Sequence, residues 1–351
     1  MLVAALVAGP GAAPSPEVRC TVTDPELAEL SGLLVEAGAA VAMADGGRRV
    51  LLHRLDGVFD DGPAPRVCVL DDTRTVDINP YDAEDLARGP DGALWVADTG
   101  DNDRRRETVA VIVVPADGEA RLHRLTYPDG PHDAEALLVD PAGRPVIVTK
   151  DLGQAGVYRT AEPPDGVGPT PLVRVGEVVL PPSDSSGGPL GSIGARLVTG
   201  AAATADGRVV ALRTYTDAWL YPAPEGDPAT ALTENPAPVR VPLPDEPQGE
   251  AIAFAPDGTL LSGSEARAGV PGEIRAVSGA AALATGPDPG SAPPVAGPAT
   301  AGSPSAEPRP GEDAAGEWPW SGWPPAAIGG AAAVGLLLAA IAAMLLRGRR
   351  R

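Results

Sequence analysis

The stretch YDAEDLARGPDGALWVADTGDND, Tyr81–Asp103, opens on charged residues and runs through a short apolar segment to an Asp-Gly turn. It then rises into a second apolar segment and ends polar. Weaker copies bring the total to five, aligned on Gly38, Gly92, Gly143, Gly207 and Gly258. Three of these turns read Asp-Gly, a pair that accepts the positive φ of a hairpin and holds two antiparallel strands in register. Before each glycine stands an apolar residue: Leu33, Leu86, Leu137, Ala202 and Ile252. After it come AAVAMA, ALWVA, RPVIV, RVVAL and TLLSG. Apolar runs this short, bounded by turn residues, are strands rather than helices.

The glycines are spaced by 54, 51, 64 and 51 residues. A period of about 50 residues with several short strands in each repeat predicts a β-propeller. The long interval contains a polar insert, PPSDSSGGPLGSIG, Pro181–Gly194, whose removal restores the period. Two further strands complete each repeat, as in Thr108–Val114 with Ala120–Leu125 and in Ala218–Tyr221 with Pro238–Pro242. The last repeat has a third strand at Glu273–Val277 and then lacks a fourth. The N-terminal VRCTVTDPELAELSGL matches VRVPLPDEPQGEAI, which leads into that last repeat, so Val18–Val22 is predicted to supply the missing strand and close the ring. Closure removes exposed sheet edges. The fold class is therefore all-β, a five-bladed propeller over residues 18–277, with six blades as the alternative.

The flanks read differently. Residues 1–13, MLVAALVAGPGAA, resemble the apolar core and cleavage region of a signal peptide without its basic start. Residues 278–317 are rich in Pro, Ala, Gly and Ser, and such a segment is expected to remain a disordered linker. Ala326–Leu346 carries no charge and as a helix would be about 32 Å long, enough to cross a bilayer core. Trp318, Trp320 and Trp323 precede it and the basic tail 347–351 follows. Tryptophans favour the interface and arginines stay inside, so the expected localisation is a single-pass cell-membrane protein, propeller extracellular and C-terminus cytoplasmic. Cys20 and Cys68 are the whole thiol inventory, and in an exported chain an even pair predicts a disulfide.

A formal charge of −20 excludes nucleic acid as a partner, since its backbone needs basic neighbours. The chemistry is sought where blade geometry brings residues together. The first strands open with Asp82-Ala83-Glu84, His132-Asp133-Ala134-Glu135 and Gln248-Gly249-Glu250, whereas Ser31-Gly32 and Thr199-Gly200 replace the acid in two repeats. Glu84, Glu135 and Glu250 are therefore predicted to converge on one mouth of the channel. The second strands end in Asp45, Asp98-Thr99, Thr149-Lys150, Arg213-Thr214 and Ser264-Glu265. Antiparallel return places Asp98, Lys150, Arg213 and Glu265 on that same face, with Tyr215 and Asp101-Asn102 nearby. Lys150 is the sole lysine. Converging carboxylates repel unless a cation intervenes, and Ca2+, which prefers oxygen ligands, would take Glu84, Glu135 and Glu250. Alternatively the acids tie neighbouring blades by accepting backbone amides. The loop Asp98–Asp103 looks calcium-like without being an EF-hand. His53 and His123 each lie in an LHRL strand and read as structural, which leaves His132 as the histidine near the mouth. No GxSxG, HExxH, P-loop or Rossmann glycine pattern occurs.

On DAEDLARGPDGALWVAD, DAEALLVDPAGRPVIVTKD and QGEAIAFAPDGTLLSGSE, the chain resembles bacterial phytase-like (esterase-like) and SMP-30/NHL-type propellers. In diluted form the resemblance spans Cys20–Val277. It implies a divalent ion in the channel and hydrolysis of esters, lactones or phosphoesters. Phytase-like proteins commonly follow the second strand with Glu-Tyr-Gly, where this chain has Asp98-Thr99-Gly100. Three functions fit: a ligand-binding or protein-interaction module at the cell surface, a metal-dependent hydrolase at the channel mouth, and a structural envelope protein. In the hydrolase, Lys150 or Arg213 would stabilise an oxyanion.

Overall fold

The computed structural model describes residues 14–60, 66–166, 168–234 and 237–286. The signal-like segment 1–13, most of the linker, the apolar run 326–346 and the basic tail lie outside the described residues. Among the described residues no helix is long and apolar enough to cross a membrane.

The chain opens with β1 (Glu17–Val22) and proceeds through four-strand repeats. The first is β2 (Leu30–Glu36), β3 (Ala39–Ala44), β4 (Val50–Asp56) and β5 (Val69–Val76). The second is β6 (Ala83–Arg88), β7 (Leu94–Asp98), β8 (Val109–Val114) and β9 (Arg121–Thr126). The third is β10 (Ala134–Val139), β11 (Pro145–Thr149), β12 (Gln154–Thr160) and β13 (Thr170–Val179). The fourth is β14 (Val198–Ala203), β15 (Val209–Thr214), β16 (Asp217–Pro222) and β17 (Val239–Pro242), with helix α1 (Pro228–Glu234) inserted before its last strand. The last is β18 (Gly249–Phe254), β19 (Leu260–Ser264) and β20 (Gly272–Val277), followed by helix α2 (Ala280–Thr285). Each repeat pairs antiparallel in chain order, and β1 adds to β20 as the fourth strand of the last. The second and third repeats are joined at their outer edges by a short parallel pairing of β9 with β13.

Why these residues form hairpins is visible at the turns. All five aligned glycines have φ between +69° and +83°, which a Cβ would penalise. The carboxylates of Asp91, Asp206 and Asp257 each accept the amide two residues on, at 3.0–3.1 Å, and so brace the turn.

The first strands contact one another in a cycle, β2 with β6, β6 with β10, β10 with β14, β14 with β18, and β18 with β2. This is the propeller arrangement. The core is distributed accordingly, with one buried apolar cluster between each pair of adjacent sheets. Met43 and Leu86 belong to one, Trp95 and Tyr158 to the next, and Val148 and Trp219 to another. Leu220 with Phe254 and Leu33 with Ile274 mark the remaining two. The seam of the cycle is covalently fastened, because Cys20 on β1 and Cys68 just before β5 form a disulfide and both are buried.

One expectation changes. The linker was expected to be featureless from Ser278, yet Ala280–Thr285 forms α2 and buries Ala280 against Phe254 and Val277. An alanine-rich turn with high helix propensity packs against the fourth repeat, on β15, β16 and β17. The polar insert Pro181–Gly194 packs back onto the mouth of the ring through Asp217, Asp245 and Glu246.

Candidate functional site

The first-strand to second-strand pairing carries the same register shift in every repeat, between Leu30 and Gly32, Ala83 and Asp85, Ala134 and Ala136, Val198 and Gly200, and Gly249 and Ala251. The skipped residues are Ser31, Glu84, Glu135, Thr199 and Glu250. A bulge turns its residue out of the ladder and re-aims its side chain. Ser31 Oγ donates to the Glu84 carbonyl and Thr199 Oγ1 to the Gly249 carbonyl at 3.0 Å, so the short hydroxyls tie adjacent first strands. Glutamate at the same place is longer and reaches into the mouth.

The three glutamates share one electrostatic environment but have different partners. Glu135 accepts a short hydrogen bond from Lys150 Nζ, and Lys150 also lies 5.0 Å from the centre of the Tyr215 ring. Burial opposes the Lys150 charge, but Glu135 and Glu250 hold the ammonium well above its ordinary value. Glu250 receives Gln248 Nε2 at 2.9 Å on one oxygen and has no partner on the other. Glu84 joins Asp45 and Asp82: one ligand oxygen from each lies within 4.8 Å of the other two. No salt bridge reaches any of these three among the described residues. Burial first, then the neighbouring carboxylates, push Glu84, Glu135 and Glu250 far up, although Lys150 pulls the other way. Asp45 is pushed up to about 6 by burial, Asp82 and Glu29, and Glu265 to about 7 by burial, Asp45 and Glu29. Gly100 closes one side of the trio, where a Cβ would collide with Glu84 Oε1 and the Asp82 carboxylate.

The three glutamates share the mouth, where Glu135 acts on the charge of both Glu84 and Glu250, but they differ in their contacts. Glu135 bonds Lys150 and Glu250 bonds Gln248, whereas Glu84 lies with Asp45 and Asp82. Arg213 departs from the expected mouth. The turn of the fourth repeat is one residue longer, since Ala203 pairs with Val210 whereas Arg88 pairs with Leu94. Arg213 thus sits opposite Gly200, in the place Val148 takes opposite Ala136 and two residues deeper than Lys150, fully buried and paired with Glu246. Glu246 also accepts Ser262 Oγ at 2.7 Å. Asp98 and Asp133 act as ties: Asp98 accepts the Tyr81 and Asp82 amides and Arg106 Nη2, and Asp133 accepts the Asp101 amide. Asp101 in turn accepts the amides of Arg105 and Arg106, so the calcium-like loop is closed by its own chain. His132 packs with Asp129, Tyr158 and Tyr127 rather than with the glutamates.

Asp85 was missed. Its carboxylate accepts the amides of Leu86, Leu137 and Ala201 at 2.8, 2.8 and 3.0 Å, which ties β6, β10 and β14 at the axis. Burial pushes it up to about 8 against the pull of those three amides. The sequence signal was a carboxylate at a position that is Gly32, Ala136, Gly200 or Ala251 elsewhere. Below Asp85, on the turn-glycine side, lies an apolar cavity of about 400 Å³ that includes Leu86, Leu137, Ala201 and Phe254.

No family model matches the chain, and no curated protein matches it either. Solved structures do. A gluconolactonase from Xanthomonas campestris is 18% identical over 77% of this chain and 89% of its own, with a TM-score of 0.39. Glutaminyl cyclase from Myxococcus xanthus is 14% identical over 74% of this chain and 99% of its own, also at 0.39. The PQQ-bound aldose sugar dehydrogenase of Streptomyces coelicolor is 14% identical over 77% and 99%, again at 0.39. At scores this low the likenesses assign neither activity nor ligand to this chain.

Proposed function

We propose that the chain is an exported, membrane-anchored five-bladed propeller that binds ligands or protein partners at the cell surface, with a divalent cation held at its acidic mouth. Five antiparallel four-strand runs, the last completed by β1, support the blade count. A buried disulfide suits an oxidising compartment. The uncharged run Ala326–Leu346 followed by arginines supports the anchor.

The observation that carries the cation is the cluster of Asp45, Asp82 and Glu84. Three carboxylates share a partly desolvated site with no cationic side chain in contact, and Asp45 Oδ1 is buried without a partner. The donor set is all oxygen, with neither His nor Cys, which suits Ca2+ or Mg2+ rather than zinc. A bound ion would neutralise the repulsion among the acids. Melting of the full chain in calcium and in chelator tests this, alongside Glu84→Gln. Calcium should raise the melting temperature of the parent and leave the variant unmoved; identical parent curves would remove the cation.

A metal-dependent hydrolase of esters, lactones or phosphoesters is the second reading. It is favoured by Glu265, whose position near neutrality suits proton transfer, at a mouth that also holds Lys150. Arg213 is withdrawn from this role by Glu246. Cation-dependent turnover abolished by Glu265→Gln would support it, and absence of turnover on all three ester classes would discard it.

A further inference from the structure

The insert Pro181–Gly194 is a built wall. Ser185 Oγ donates to Asp217 and Ser186 Oγ to Asp245, both at 2.7 Å, and the Gly188 amide donates to the Glu246 carbonyl at 3.0 Å. Gly188 and Gly194 lie flat against Tyr215, so close that a Cβ at Gly194 would stand 3.0 Å from its ring. Tyr215 flanks Lys150, so the wall borders the mouth. The insert has only two large apolar side chains, Leu190 and Ile193, and they are 51% and 53% exposed. Leu152 and Val179 are also exposed, on segments joined to the end of the insert where the Gly153 amide donates to the Arg196 carbonyl and the Leu180 amide to the Gly153 carbonyl. A segment this well fastened gains nothing in stability from apolar groups held in water. Clustered exposed apolar groups mark interaction sites.

Beyond Tyr215 and Lys150 from this ledge lies the acidic pit, with Glu265 and with Glu250, whose second oxygen is buried and unpartnered. An apolar ledge beside an acidic pit fits a chain that offers both features in the same order. A second copy of this protein does not, because it would set acid against acid at a formal charge of −20 each. We propose that the mouth face docks a polypeptide segment in which a lysine or arginine is flanked by large aliphatic residues. The aliphatic groups cover Leu152, Val179, Leu190 and Ile193, and the cationic head enters the pit beside Glu250 and Glu265. This rests on reading the mouth as a binding site, yet it needs no metal.

The test uses the purified full chain in chelator and a fluorescein-labelled peptide, Ser-Leu-Ile-Lys-Ile-Leu-Ser, read by anisotropy. Saturable binding is expected, at least tenfold weaker for Leu190→Ser/Ile193→Ser and for Glu265→Gln, and lost when the peptide lysine is replaced by glutamate. Leu190→Asp/Ile193→Asp separates docking from bulk attraction. Docking predicts weaker binding to this variant, whereas attraction of a cationic peptide to an acidic protein predicts tighter binding. Unaltered melting temperatures show that the variants fold. No saturable binding, undiminished binding by the aspartate variant, or a parent dimer in sedimentation that Ile193→Asp dissolves would each overturn the proposal. Calcium-induced melting shifts on the same samples keep the readings apart: a lost peptide with a retained shift removes docking alone, and the converse removes the cation alone.

Discussion

Glu84 and Glu135 occupy the same bulge in neighbouring repeats and meet opposite fates. The second strand of Glu135's own repeat ends in Lys150, and the two acquire each other. The second strand of Glu84's repeat ends in Thr99, which donates to the Ala134 carbonyl at 2.7 Å and leaves Glu84 among acids. The repeat decides where a carboxylate points, and the residue after the second strand decides whether its charge is cancelled. One side of the mouth is therefore a set of internal salt bridges, extended downward by Arg213 and Glu246, and the other an unneutralised acid cluster.

The largest effect should come from the cancelled side. Glu246→Gln leaves Arg213 buried without its counter-ion and should cost about 3–5 kcal/mol. In chelator, Glu84→Gln should be neutral or stabilising, because it replaces a buried carboxyl, held protonated by burial and its acidic neighbours, with an amide of the same shape. Denaturant unfolding of both variants checks the contrast, and equal losses would erase it.

Removing the disulfide with Cys20→Ala/Cys68→Ala should cost about 2–4 kcal/mol. Because Asp45 belongs to the first repeat, which the bridge fastens to the last, the same change should weaken calcium binding more than it disturbs Arg213. A calcium affinity unchanged by the double variant would uncouple the seam from the cluster.

Calcium at about 100 times its dissociation constant should add roughly 2.7 kcal/mol to the parent. This gain should disappear in Glu84→Gln and Asp82→Asn and persist in Glu135→Gln. Persistence in Glu84→Gln with loss in Glu135→Gln would return the ion to the three bulge glutamates.

The smallest effect is with pH. Asp45 and Glu265 have folded values raised to about 6 and about 7, above their ordinary carboxylate values. A raised carboxyl stabilises the fold fully below its unfolded pKa, and that contribution is lost as pH rises through the folded one. Without cation, the melting temperature should therefore fall between about pH 4 and pH 7. With calcium the fall should be smaller, since the ion favours the ionised acids. A flat profile in chelator would mean that the cluster is better solvated than its burial implies.

Much of this was legible beforehand. Turn glycines and short apolar runs report a hairpin directly, so the strands could be read from spacing, the closing β1 from its likeness to the segment before the last repeat, and the Cys20–Cys68 bridge from an even pair of cysteines in an exported chain. The shared place of Glu84, Glu135 and Glu250 was equally plain. Pairing was not. A single extra residue in the turn at Gly207 moved Arg213 inward to Glu246, and no local pattern distinguishes a six-residue offset from a seven-residue one. Asp85 was hidden because its three amide partners lie on three different first strands, which come together only when the ring closes. The polar composition of the insert says nothing of the hydrogen bonds that fasten it to Asp217 and Asp245.

The seam also sets an order of events during synthesis. β1 is made first and its partner β20 last, so its ladder must wait roughly 10–50 s at translation rates of about 5–20 residues per second. Cys68, by contrast, emerges soon after Cys20. Oxidation at that early stage would park the N-terminal strand beside the first repeat, on the side where the last will arrive. The crosslink then acts as a bookmark for the nascent chain, keeping an unpaired strand from straying until the polypeptide that needs it has been completed.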